Sequence, residues 1–116
     1  MLIKKFNVLT TNLNIFVLPD KINNSKIDFK ANLNLEILPY VENKQKIILN
    51  YTIKSYDAPL HIIWESDVNI IFNEKLKENI SREDFFNYSN VIFSIDEKIE
   101  YISKISGIKL PLLSEQ

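Results

Sequence analysis

Cysteine is absent from the 116 residues, and glycine, histidine and tryptophan occur once each. Without cysteine there is no disulfide framework and no thiol chemistry. A phosphate-cradling loop needs several glycines so that backbone amides can approach the anion, so nucleotide-dependent activity is not expected. Neither sign of charge dominates: 14 Lys and Arg stand against 15 Asp and Glu, a net charge of -1. Nucleic-acid binding therefore has no electrostatic support. No apolar run approaches the ~20 residues of a membrane span. The N-terminal Met1-Leu2-Ile3-Lys4-Lys5 has no apolar stretch of the kind a signal peptide carries. The expectation is a cytoplasmic protein with no membrane association and no bound cofactor.

What is present is alternation followed by helical periodicity. One domain over 1–116 is expected for this length, large enough to bury roughly two thirds of its unfolded surface. The content is 46% hydrophobic and 25% charged, which is ordinary for a globular domain. From Lys26 to Pro39, Ile27, Phe29, Ala31, Leu33, Leu35 and Ile37 share one parity, and Asp28, Lys30, Asn32, Asn34 and Glu36 the other. That is a strand with one buried and one wet face, limited by Pro39, which cannot donate to a ladder. Residues 46–56 and 60–73 alternate in the same way, joined by turns at Val41–Lys44 and Asp57-Ala58-Pro59. The three should form an antiparallel meander. The N-terminal segment changes parity: Phe6 and Val8 share one phase, Leu13, Ile15 and Val17 the other. A bulge near Thr10-Thr11-Asn12, or a long bent strand at the sheet's edge, explains the switch.

Helices come last. Ser81 is a candidate N-cap with Asp84 three residues on, opening a short helix from Arg82 to Tyr88. Ile92, Ile95, Ile99, Ile102 and Ile105 then recur every three or four residues, backed by Asp96, Glu97, Lys98, Glu100 and Lys104. This predicts a helix from about Asn90 to Ser106, its apolar stripe buried and its end capped by Gly107. Strands first and helices last imply an α+β fold: a four-stranded antiparallel sheet with one short and one long helix on one face.

Asn90-Val91-Ile92-Phe93, the helix to Ser106 and the closing Gly107-Ile108-Lys109-Leu110-Pro111, together with the alternating run from Ile27 to Phe72, resemble the SecB export-chaperone family. The resemblance spans most of the chain. It implies four antiparallel strands, a helical crossover, a long helix and no chemistry. It also implies an ATP-independent chaperone or protein-binding module holding unfolded clients in apolar grooves, with protein transport as the family's usual setting. Ser94 stands where the family usually has proline. Members that dock on the export ATPase are strongly acidic, and this chain is near neutral. SecB-like proteins attached to toxin–antitoxin systems or recruited by phages are less bound by the export role.

Convergent polar groups, which catalysis needs, are scarce. His61 and Glu65 share a strand face but lie about 13 Å apart. Glu65 and Asp67 are about 7 Å apart on a face that reads as solvated. No catalytic, metal-binding or cofactor-binding residue is assigned, and no enzymatic activity is expected. The aromatics Phe85, Phe86 and Tyr88 at the crossover, with Leu112 and Leu113 of the tail, are the candidate protein-binding residues. Aromatics supply large contact area at low entropy cost. Two of them could equally plug the sheet. Ile48, Ile63 and Ile71 on the wet face would form a patch if neighbouring strands bring them together. The expected partners are unfolded proteins, or one folded partner for which the chain is a dedicated adaptor or inhibitor. A homo-dimer or homo-tetramer is expected, because an open sheet leaves edges to be paired.

Overall fold

The computed structural model describes residues 2–17, 29–55 and 60–115. Four strands, β1 (Ile3–Val17), β2 (Phe29–Ile37), β3 (Lys44–Ser55) and β4 (Leu60–Phe72), form one antiparallel sheet in the order β1-β4-β3-β2. The β2-β3-β4 meander follows the alternation, and β1 returns to pair with β4 at the far edge. The Asp57-Ala58-Pro59 turn and the Lys26–Asp28 start of the second alternating segment lie outside the described residues. Pro39 marks the end of β2, and the following turn closes through reciprocal Val41 and Lys44 backbone bonds of 3.0 and 2.9 Å. Glu42 turns this corner at φ 55°.

The change of parity in β1 is a bulge. The register runs Thr10 to Ser66 and then Asn12 to Glu65, so Thr11 is the extra residue. Phe6, Val8, Leu13 and Ile15 are thereby kept on one face despite their opposite phases. Two β4 side chains support the irregular backbone. Ser66 Oγ donates to the Leu9 carbonyl at 3.0 Å, and Trp64 Nε1 donates to Thr10 Oγ1 at 3.0 Å.

Two α-helices follow the sheet, α1 (Arg82–Asn87) and α2 (Ser89–Ser106). Ser81 and Asp84 form a reciprocal capping box, with bonds of 3.0 and 3.1 Å. Gly107 ends α2 at φ 74°, the left-handed conformation that glycine adopts without steric cost. Its N–H and that of Ile108 both reach the Ser103 carbonyl, closing the helix.

The core lies between α2 and the inward rows of the sheet, among them Ile47, Leu49, Tyr51, Ile62, Trp64 and Ile70. Val91, Ile92, Ile95, Ile99 and Ile102 face it from α2. Two residues depart from the expected stripe. Ile105 is 50% exposed, whereas Asp96 is only 7% exposed. At about 100° per residue, Ile105 lies about 80° from Ile95 on the flank away from Ile92, past the buried arc. Asp96 lies about 100° to the other side, where the C-terminal tail covers it.

On the opposite sheet face, Ile48, Ile63 and Ile71 do not meet. Ile48 is opposite Asp67, Ile63 opposite Thr52 and Asn14, and Ile71 opposite Lys44 and Lys5. Glu65 accepts from Asn50 Nδ2 at 3.3 Å, while Asp67 pairs with Lys46 at 3.3 Å. The two carboxylates are thus engaged separately. His61 is exposed on this same face.

Candidate peptide-binding site

The crossover from β4 to α1 is held by a residue that sequence patterning passes over. Gln45 sits at the inward parity of β3 and is 1% exposed. Its amide nitrogen donates to the Leu38 carbonyl, and its amide oxygen accepts from the Ile80 N–H at 3.0 Å. One side chain therefore ties the end of β2 to the start of the helical segment. A polar residue at an apolar parity was the available signal.

This anchorage sets where the crossover aromatics point. Phe85 is fully buried and belongs to the core. Phe86 is half-buried and meets Phe85 edge-on, with centroids 5.7 Å apart and planes at 83°. The Arg82 guanidinium lies 5.3 Å from the Phe86 ring centroid. Tyr88 is half-buried against Phe72 at 5.8 Å and serves as the junction residue between α1 and α2.

The tail is the second half of the site. After Gly107 the chain folds back along α2, burying Ile108, Leu110 and Leu113, and ends in a 3-10 turn over Leu113–Glu115. Three side chains of the body hold its backbone. Ser103 Oγ accepts from the Leu110 N–H at 3.0 Å, and the Tyr51 hydroxyl donates to the Pro111 carbonyl at 2.6 Å. The Asp96 carboxylate accepts from the N–H groups of Leu113 at 2.7 Å and Ser114 at 3.4 Å. The Asp96 role was not legible from composition, since an aspartate four residues beyond Ile92 reads equally as wet helix surface.

Two clefts flank the tail. One, of about 470 Å³, is lined by Phe86, Ser89, Ile92, Phe93, Asp96 and Leu113. The other, of about 440 Å³, is lined by residues that include Glu100, Ser103, Gly107, Leu110 and Leu112. The α2 members recur at steps of three and four, so both clefts follow one flank of the helix. Of the five residues singled out from sequence, Phe86 and Leu113 share the first cleft. Leu112 borders the second, Tyr88 faces a third hollow beside Glu74–Ile80, and Phe85 lies beneath. Phe93, 66% exposed, rims the first cleft and was missed, because it lies opposite the isoleucine stripe.

Burial pushes the Tyr51 hydroxyl up to about 12, with the nearby Glu115 and Asp96 charges adding to the effect. The folded state holds this proton more tightly than the unfolded chain, whose tyrosine titrates near its ordinary 10.0. The contribution is therefore whole below about pH 10 and is lost as pH rises towards about 12. Wild-type melting temperature should fall more steeply across that window than that of Tyr51→Phe, measured by circular dichroism. Parallel curves would contradict the assignment.

No family model matches the chain, and no curated protein matches it in sequence. The fold itself is that of SecB-like chaperones. Among solved structures it is similar to the Mycobacterium tuberculosis SecB-like chaperone Rv1957, determined in complex with a ChAD peptide from the Rv1956 HigA1 antitoxin. The match covers 97% of this chain and 87% of that one, with a TM-score of 0.53 and 10% sequence identity. At that identity the likeness is one of fold. Among the described residues, no helix is long and apolar enough to cross a membrane.

Proposed function

We propose that the protein is an ATP-independent chaperone that holds extended apolar segments of unfolded proteins and so delays their aggregation. The observation that carries this reading is the pair of open clefts beside α2, with apolar walls from Phe86, Ile92, Phe93, Leu110, Leu112 and Leu113, and a stretch of polypeptide already held there by its backbone. The structural neighbour's bound antitoxin peptide supports it. Holding a client requires no catalytic residue, metal or nucleotide. A dedicated adaptor for one partner, of the toxin–antitoxin or phage kind, is the second reading. It is favoured by the neighbour's ligand, which comes from one antitoxin.

The test is suppression of aggregation of a chemically unfolded model protein at stoichiometric concentrations. Wild type should suppress it without ATP. Phe86→Ala and Phe93→Ala, both at the first cleft, should each weaken client binding by more than about 1 kcal/mol, as hot-spot truncations do. If wild type suppresses nothing, the adaptor reading replaces the chaperone. If suppression survives both changes while stability collapses, these aromatics are supports of the fold and the client lies elsewhere.

Assembly is part of the proposal. Among the described residues, β1 and β2 are the unpaired edges of the sheet, and Leu9 and Phe16 of β1 are more than half exposed on the polar face. Long unprotected edges favour pairing between copies. Light scattering at micromolar concentration should report a homo-dimer or homo-tetramer. The mass of one chain would contradict it.

A further inference from the structure

The tail is bound as a ligand would be. All four hydrogen bonds from Tyr51, Asp96 and Ser103 go to its backbone, so they do not depend on which side chains the segment carries. Pro111, which has no N–H, meets a donor at its carbonyl and is asked for nothing else. Beyond Ile108 at the turn, its buried side chains are two apolar anchors, Leu110 and Leu113, each at most 3% exposed. The tail takes part in neither the sheet ladder nor the body of α2. Its backbone–backbone bonds are local ones, Ile108 to Ser103 and Glu115 to Leu112. Detachment would leave every strand pairing intact. The departure point is Gly107, a residue free to change φ. Along α2, Ser89, Ile92, Asp96, Ser103 and Gly107 keep to one flank over roughly 27 Å at 1.5 Å per residue. The tail covers the Asp96–Gly107 part of that length, leaving the cleft lined by Phe86, Ser89, Ile92 and Phe93 open beyond Leu113.

We infer that the trough along α2 occupied by Leu110–Leu113 is the client site itself, and that the tail is a resident competitor displaced by an extended apolar segment of an unfolded protein. The incoming segment needs apolar residues at the two anchor positions and a free backbone between them. By running on past Asp96 to Phe86, Ile92 and Phe93 it gains contacts the short tail lacks. This rests on the chaperone reading and adds to it an autoinhibited resting state. A site available only in the tail-released fraction has its apparent affinity lowered by that fraction.

The test loosens the tail without touching the trough, in the full-length chain. Leu113→Ser removes an anchor. Pro111→Gly keeps both anchors and raises the entropy of the released tail. A fluorescein-labelled peptide carrying Leu-Pro-Leu-Leu between polar flanks is titrated and followed by anisotropy. Leu113→Ser should bind it at least about tenfold more tightly than wild type, and Pro111→Gly about two- to fivefold more tightly. In wild type, saturating peptide should speed hydrogen exchange at the Leu110, Leu113 and Ser114 amides. If Leu113→Ser fails to fold, Pro111→Gly and the exchange measurement decide. If wild type binds the peptide but the folded variant binds it no better and tail exchange is unchanged, the client site lies elsewhere and the chaperone reading stands. If wild type binds no peptide and suppresses no aggregation, both proposals fall together.

Discussion

Replacing Ile99 with aspartate should abolish the folded state. Ile99 is fully buried at the centre of α2, with Ile95 and Ile102 beside it on the core face. Losing a buried isoleucine costs roughly 1.5–3 kcal/mol in transfer free energy alone. An aspartate enclosed there loses its hydration, and either charging it or holding it protonated adds several kcal/mol more. The total is comparable with the whole stability of a typical domain, about 5–15 kcal/mol. Soluble expression should be lost, or circular dichroism should show no cooperative melting at neutral pH. A soluble variant with an unchanged melting temperature would overturn the packing of α2.

The second large effect separates two adjacent aromatics. Phe85→Ala should cost about 3–5 kcal/mol, the range for truncating a buried phenylalanine. Its ring is fully enclosed, so truncation leaves a cavity in the core. Phe86→Ala should cost under about 2 kcal/mol. The Phe86 ring is only half-buried, and its particular contacts are one edge-on ring pair and one cation–π contact with Arg82. Chemical denaturation of both variants checks the difference. Equal losses would place Phe86 in the core and remove it from the cleft.

That pair shows what the sequence could and could not say. Two neighbouring phenylalanines on a short helix have the same pattern value, and only tertiary placement assigns one to the core and one to the rim. The strands were legible because a period of two leaves little ambiguity over 9–13 residues, as in β2, β3 and β4. Even the bulge at Thr11 announced itself as a change of phase between Val8 and Leu13. Ser81 marked the start of α1, and the isoleucine repeat and Gly107 marked the course and end of α2. The misplacement of Ile105 has a different origin. A helical repeat gives the angle of a residue but not how far the facing sheet and tail extend. Asp96 and Gln45 were opaque because their partners are backbone groups far along the chain, Leu113 and Ile80. The tail was recognised as apolar and non-helical, but its return onto α2 follows from those contacts and not from its composition.

The central claim is that this protein binds unfolded polypeptide through apolar surface and without nucleotide. Isothermal titration of a permanently unfolded model protein, beside the same protein in its native form, tests it most directly. Binding to the unfolded form alone, with a negative heat-capacity change from apolar burial and no response to ATP, is the predicted result. Absence of binding to the unfolded form, or equal binding to both forms, would contradict it.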